Sequence, residues 1–147
     1  MKKTIVILFL IASLVSCKSS LENLLTQNTW KVDKVINLNT GVEENAGPRY
    51  QKAWDFNPAN TYQYASLIDG QRQFTTGEWE LDEFTLSVIT TLDTTQVKIE
   101  KITETEMVWL ISGKDPVRVY LSSVPREVIL PNFPKAATTE NNSKPMH

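Results

Sequence analysis

The stretch GEWELDEFTLSV, residues 77–88, decides the fold of this chain. Its apolar and polar residues alternate, so that Trp79 and Leu81 share one side of a strand while Glu78 and Glu80 share the other. Successive side chains of a β-strand point to opposite faces of the sheet. The pattern therefore predicts two strands, each with one dry and one wet face, joined by a tight turn.

Runs of the same kind cover most of the chain from Thr29 onward. They are rich in Val, Ile, Thr, Trp, Tyr and Phe and are separated by turn residues about every eight to twelve positions, which is typical of an antiparallel all-β domain. The predicted strands are approximately Thr29–Asn37, Lys52–Phe56, Thr61–Ile68, Phe74–Leu81, Phe84–Thr90, Thr95–Ile102, Met107–Ser112 and Val117–Ser122. A short helix over Leu21 to Gln27 precedes them.

Tight turns between sequential strands make those strands antiparallel neighbours. A meander with a single apolar face can bury that face by curling into a closed barrel, which also removes its unpaired edges. We therefore predict an all-β protein, a small antiparallel up-and-down β-barrel of about eight strands with a short N-terminal helix. The polar segment GVEENAGPR, residues 41–49, is predicted to be a loop, and residues 131–147 a disordered tail after a barrel over 21–130.

The N-terminal segment indicates export. Lys2 and Lys3 precede an apolar run that is much shorter than the ~20 residues of a membrane-spanning helix. The context Leu14-Val15-Ser16-Cys17 closely resembles the lipobox of bacterial lipoproteins, in which the cysteine sulfur receives a diacylglycerol and becomes the first mature residue. The resemblance implies a signal peptide over 1–16, a lipidated linker over 17–20 and a membrane anchor at Cys17. An ordinary signal peptide with an incidental cysteine is the alternative.

Four further segments carry a second resemblance. NTWKVDKV, KAWDFNPANTYQY, TGEWELDEFTLSV and IEKITETEMVWLI follow the short helix in this order. The arrangement is similar to that of the lipocalin-like lipoproteins of the Bacteroidetes group, over roughly Leu21 to Leu121. It implies a lipocalin-like barrel and says little about the ligand. By analogy with proteobacterial sorting, Lys18 after the cysteine favours the outer membrane. The acidic run associated with surface export in some Bacteroidetes lipoproteins is missing after Lys18, which favours the periplasmic face.

Several classes of chemistry find no support in the sequence. The single histidine is His147, so neither a Ser-His-acid triad nor a histidine metal site is expected within the domain. The net charge of −2 and the lack of a basic face argue against nucleic acid. A carboxylate cluster at Glu78, Glu80, Asp82 and Glu83 is the one enzymatic alternative, and a solvated surface explains it more simply. We expect a non-catalytic protein with no metal and no cofactor.

Aromatic residues on consecutive strands are the best candidates for a binding site. If the barrel closes they should converge, either as core or as the lining of a cavity for a small apolar or amphipathic ligand. The candidate ligand residues are Trp54, Phe56, Tyr62, Tyr64 and Trp79, and Phe84 belongs to the same aromatic set. The alternative function is that of an accessory lipoprotein subunit of a secretion or motility apparatus in the cell envelope.

Two more sites are predicted from short patterns. The segment 107–111 is apolar on both faces, so one side must be covered by the Leu21–Leu25 helix, by the tail or by another protein. In the last case, Met107, Trp109 and Ile111 are candidates for a surface that binds an envelope protein. Asp93-Thr94-Thr95 resembles the acceptor site for O-glycans on exported Bacteroidetes proteins, so Thr94 is a candidate glycosylation site, and a plain turn is the alternative.

Overall fold

One short helix and nine strands make up residues 20–47, 50–68 and 71–125, which the computed structural model describes. Helix α1 covers residues 20–27. The strands are β1 (Thr29–Asn37), β2 (Glu43–Asn45), β3 (Tyr50–Asn57), β4 (Thr61–Ile68), β5 (Gln71–Asp82), β6 (Thr85–Ile89), β7 (Thr94–Ile102), β8 (Glu106–Ile111) and β9 (Val117–Val124). The predicted signal peptide, Cys17 and the predicted tail lie outside the described residues.

The strands form a closed antiparallel barrel. Each strand from β3 to β8 pairs with the next one along the chain, and β1 closes the barrel by pairing with β9 over its whole length and with β3 at its start. The prediction of an up-and-down barrel of eight strands with an N-terminal helix is confirmed, with strand boundaries that differ by a few residues.

Strand β2 is an addition that the sequence did not predict. It lies in the segment expected to be a polar loop, and its three residues pair with Lys34–Ile36 of β1. Strand β1 pairs with β3 only over Thr29–Lys31, so its second half would otherwise lack a neighbour on that side. The short, exposed β2 provides backbone partners there without an apolar pattern of its own.

The two ends of the barrel differ. At the end that we call the plug end, Leu21 and Leu25 of α1 belong to the apolar core, and the β3–β4 and β5–β6 turns lie there. The opposite end, which carries the β6–β7 and β8–β9 turns, is the mouth. The predicted turn at Asn57-Pro58-Ala59-Asn60 is present, with Asn60 at φ 63° and its backbone N–H donating to the Asn57 carbonyl at 3.0 Å.

Alternation sets which residues face inward. Trp79 pairs with Val88 and Leu81 with Leu86, and all four are buried, as the sequence predicts. Phe84 is a correction, because it was expected beside Leu86 but is 52% exposed. Strand β6 begins one residue later, at Thr85, which leaves Phe84 at the tip of the two-residue turn.

Candidate functional site

The predicted aromatic residues do converge inside the barrel. Registers place Trp54 opposite Tyr64 and Phe56 opposite Tyr62 on neighbouring strands. The ring centroids of Trp54 and Tyr64 are 4.4 Å apart, those of Trp54 and Phe56 are 6.1 Å apart, and those of Phe56 and Trp79 are 6.0 Å apart. Such spacings are those of favourable aromatic pairs. The five candidates therefore form one continuous cluster.

Depth divides this cluster into two parts. Phe56, Tyr62 and Trp79 are fully buried toward the plug end, and the indole Nε1 of Trp79 donates to the Asn57 carbonyl oxygen at 3.0 Å. These three residues pack against one another as core. Trp54 and Tyr64 are only partly buried and lie nearer the mouth. A ligand that enters through the mouth would meet Trp54 and Tyr64 before the buried part of the cluster.

Gly77 is part of the same packing. It lies opposite Tyr62, and a Cβ built on it would be 2.7 Å from both Cε1 and the hydroxyl oxygen of the Tyr62 side chain. The tyrosine ring therefore occupies the space that a side chain at position 77 would need. This close approach explains why glycine interrupts an otherwise regular inward row on β5.

Trp109 belongs to the aromatic cluster, which the sequence did not predict. Its ring centroid lies 5.6 Å from that of Trp54 and 6.3 Å from that of Phe56. Its indole Nε1 is buried and has no hydrogen-bond acceptor among the described residues. An unpaired buried donor is costly in free energy, and native proteins rarely keep one without a reason. Trp109 is therefore the most unusual polar group inside the barrel.

The burial of Trp109 corrects the predicted partner-binding surface. Met107 and Trp109 point into the core, and Ile111 packs against it, so they do not form a surface for another protein. The outward side chains of β8 are Val108 and Leu110, which are half-buried. Long side chains on the neighbouring strands lie opposite them, with Lys101 and Tyr120 beside Val108. The stems of such residues can cover apolar surface, which explains a strand that is apolar on both faces.

Polar side chains lie between the aromatic cluster and the mouth. The unbroken β3–β4 register places Lys52 and Ser66 opposite each other, on the same face as Trp54 and Tyr64. The registers show which charged residues face inward. Apart from the bulges, Lys52 is the one charged residue on the inward face among the described residues of the eight barrel strands. It is exposed at the mouth.

Burial changes the acidity of the two tyrosine hydroxyls in the cluster. Desolvation raises the pKa of the Tyr64 hydroxyl above its ordinary value, although a side-chain hydrogen bond with Ser66 acts in the opposite direction. Desolvation also raises the pKa of Tyr62. Both hydroxyls therefore stay protonated at neutral pH and can donate hydrogen bonds.

The remaining candidates lie on the outer surface. Glu78, Glu80, Asp82 and Glu83 are all exposed, in keeping with a solvated acidic surface. Thr94 is exposed at the first position of β7, directly after the turn, and its backbone N–H donates a hydrogen bond of 2.7 Å to the Asp93 carboxylate. In the described parts of the chain, no three His, Cys, Asp or Glu side chains are grouped to hold a metal ion.

Comparison with known proteins adds no relatives, because no protein-family model matches this chain and no curated protein matches it significantly. Within residues 20–47, 50–68 and 71–125, no helix has the length and apolarity needed to cross a membrane.

Proposed function

We propose that this protein is a lipid-anchored, lipocalin-like binding protein of the cell envelope that holds a small amphipathic molecule in the mouth half of its barrel. One observation carries the proposal. Trp54 and Tyr64 face inward and stay partly accessible above a fully packed aromatic layer, with Lys52 and Ser66 between them and the mouth. Apolar contact deep in the site and polar contact near its opening suit a molecule with one apolar and one polar end.

The energetics favour this division of roles. Burial of the apolar end of the ligand against Trp54 and Tyr64 contributes about 25 cal/mol per Å² of apolar surface removed from water. Lys52 introduces a positive charge into an inward face that is otherwise apolar or uncharged. A charge-assisted hydrogen bond is roughly twice as strong as a neutral one. The polar end of the preferred ligand is therefore anionic, or at least a hydrogen-bond acceptor.

The anchor is the second part of the proposal. The lipobox resemblance at Leu14-Val15-Ser16-Cys17 supports a diacylglycerol on the cysteine sulfur. Each buried methylene of an acyl chain contributes about 0.8 kcal/mol, so two or three chains hold a small domain on a bilayer. Lys18 favours the outer membrane, facing the periplasm. Cys17→Ala should move the protein from the membrane fraction to the soluble fraction, and retention of the variant in membranes would contradict the anchor.

A fluorescence titration tests the ligand proposal. The soluble Cys17→Ala protein would be titrated with a long-chain carboxylate and with the alcohol of the same chain length, while tryptophan emission is followed. We expect saturable binding of both, tighter for the carboxylate. Lys52→Met should remove the preference for the carboxylate, and Tyr64→Phe should weaken both. Glu80→Gln, on the exposed outer face of β5, is the matched control. The absence of any saturable signal would refute a ligand of this class.

A further inference from the structure

An apolar patch at the plug end faces the outside of the barrel. Leu24 of α1, Phe84 of the β5–β6 turn and Ile102 at the end of β7 line a groove of about 760 Å³, and Leu21 and Ile99 also contribute to it. Phe84 is 52% exposed, while Leu24 and Ile102 are partly buried. We call Leu24, Phe84 and Ile102 the plug-end patch, with the buried Leu21 and Ile99 beneath it. An accessible aromatic ring beside a groove of this size is a typical feature of an interaction surface.

The backbone holds Phe84 firmly in its exposed position. Asp82 pairs with Thr85 across the turn, and Glu83 adopts a left-handed conformation at φ 51°. The carbonyl oxygen of Phe84 accepts a hydrogen bond of 2.7 Å from the backbone N–H of Ile99. The ring is therefore presented on a turn that is tied to the neighbouring strand.

Ion pairs reduce the charge around the patch. Glu100 accepts a 2.6 Å hydrogen bond from Arg118, and Lys101 lies 2.6 Å from Glu106. Asp82 and Glu83 line the groove as well, and both are exposed. Acidic side chains repel anionic headgroups. The charges around the patch therefore suit an uncharged or zwitterionic lipid surface better than an anionic one.

The position of the predicted anchor identifies the partner. Ser20 lines the groove, and Cys17 precedes it by three residues. Three residues span at most about 10 Å, so acyl chains on Cys17 would bring the bilayer within that distance of the patch. We propose that the plug-end patch rests on the surface of the bilayer that holds the anchor. This inference depends on the lipid anchor of the proposed function.

The consequence is a defined orientation of the barrel. Strand β1 has nine residues and runs from the plug end toward the mouth, a length of about 30 Å at ~3.3 Å per residue. With the plug end on the bilayer, the mouth and the inward-facing Lys52 point away from the membrane. Ligands then enter from the aqueous side rather than directly out of the bilayer.

Two matched spin-label positions test this orientation. Phe84 and Leu92 are both exposed apolar residues in hairpin turns, at opposite ends of the barrel, and Leu92 is 95% exposed. The lipidated protein, carrying Phe84→Cys or Leu92→Cys with a nitroxide label, would be placed in phosphatidylethanolamine and phosphatidylcholine vesicles. A thioether at Cys17 leaves the introduced cysteine as the one free thiol. Accessibility to lipid-soluble oxygen and to a water-soluble nickel chelate would then be measured.

We expect the label at position 84 to gain oxygen accessibility and to lose nickel accessibility several-fold, while the label at position 92 keeps its aqueous values. Protection at position 92 instead, or at neither position in vesicle-bound protein, would overturn the orientation. Protection at position 84 that persists without vesicles and rises with protein concentration would assign the patch to a second copy and overturn it too. If the protein does not co-float with the vesicles in a density gradient, the anchor and this inference both fail. The ligand titration remains an independent test of the binding site.

Discussion

The indole Nε1 of Trp30 donates a 3.0 Å hydrogen bond to the backbone carbonyl oxygen of Leu25, and this bond joins α1 to the first strand of the barrel. Both residues are fully buried. The last carbonyl groups of a helix have no partner within the helix, so the indole satisfies an acceptor that would otherwise be buried without one. The bond fixes the position of the helix that closes the plug end.

Replacing Trp30 should therefore loosen the plug. Trp30→Phe keeps an aromatic ring but leaves the Leu25 carbonyl without its donor, and an unpaired buried acceptor costs about 1–3 kcal/mol. We expect a lower free energy of unfolding in urea, together with faster hydrogen exchange in residues 20–27. Trp54→Phe, which alters a partly buried ring, serves as the control. Equal stability losses in the two variants, with no change in exchange, would argue against a capping role for Trp30.

Gly77 should tolerate no side chain. A methyl group at this position would lie too close to the carbonyl oxygen of Ile89 and 2.7 Å from the Tyr62 hydroxyl. Overpacking of this kind typically costs about 1–3 kcal/mol, and we expect Gly77→Ala to lower the urea midpoint accordingly. Gly47→Ala is the matched control, because nothing lies within 4 Å of a Cβ there. A Gly77→Ala variant as stable as Gly47→Ala would show that the barrel wall can shift.

Most of the fold is predictable from the alternation of apolar and polar residues along the strands. Apolar alternation and turn residues locate eight strands, and pairing of sequential strands then determines the barrel. Strand β2 is not predicted by this pattern, because Glu43–Asn45 contains no apolar residue. These residues form a strand by pairing with β1. The exposure of Phe84 was not predicted because its position fits the inward alternation of Leu86 and Val88, whereas the strand begins only at Thr85 and leaves Phe84 in the turn.

The candidate site is less predictable for a related reason. The sequence identifies the aromatic residues but not how deeply each is buried in the barrel. A core residue such as Trp79 and a partly accessible one such as Trp54 therefore cannot be told apart from the sequence. Trp109 is predicted as a surface residue because its strand is apolar on both faces. The register shows that Trp109 faces inward and that Val108 faces outward. Counting alternate residues along 106–111 from the polar Glu106 would have suggested the same assignment.

Alkaline pH should destabilise the barrel through its buried tyrosines. Burial raises the pKa of Tyr62 and of Tyr64 in the folded state. The stability from these groups is therefore fully present below the unfolded-state pKa of about 10 and is lost as the pH rises through the higher folded-state values. We expect a flat urea midpoint near neutrality that falls above about pH 10. Tyr62→Phe should make this fall shallower.

A readout of tyrosine ionisation distinguishes this mechanism from general alkaline unfolding. Tyrosinate absorbance should rise together with unfolding for Tyr62 and Tyr64, since the hydroxyls are kept neutral by the folded barrel. If Tyr62→Phe and Tyr64→Phe leave the alkaline midpoint unchanged, other groups control it.

Thr94 offers a test of modification. The residue is exposed and directly follows the Thr90–Asp93 turn, which is closed by a 2.8 Å hydrogen bond from the Thr90 N–H to the Asp93 carbonyl. A transferase can therefore reach its hydroxyl group. We expect the intact mass of the protein from its native host to exceed the mass of the lipidated chain by that of a glycan, and Thr94→Val to remove the difference. A peptide containing unmodified Thr94 would contradict the prediction.

Trp109 provides the sharpest test of the binding site, because it contrasts with Trp30. Both rings are buried, but the Trp30 indole has an acceptor and the Trp109 indole has none among the described residues. Both Trp→Phe changes lose ring area, so their difference reports the hydrogen bond. We expect Trp109→Phe to lower the free energy of unfolding by about 1 kcal/mol less than Trp30→Phe does, measured without ligand.

Ligand binding should leave the Trp109 indole unpaired. The proposed ligand places its apolar end deep in the site and its polar end near the mouth, so no ligand acceptor reaches the buried Nε1 of Trp109. We therefore expect Trp109→Phe and Trp30→Phe to bind the long-chain carboxylate as tightly as the wild type does. The measurement is the carboxylate titration followed by native mass spectrometry. A roughly fivefold weaker affinity in Trp109→Phe alone, which corresponds to the loss of a hydrogen bond of about 1 kcal/mol, would show instead that the polar end of the ligand reaches the indole and that the proposed orientation of the ligand is wrong.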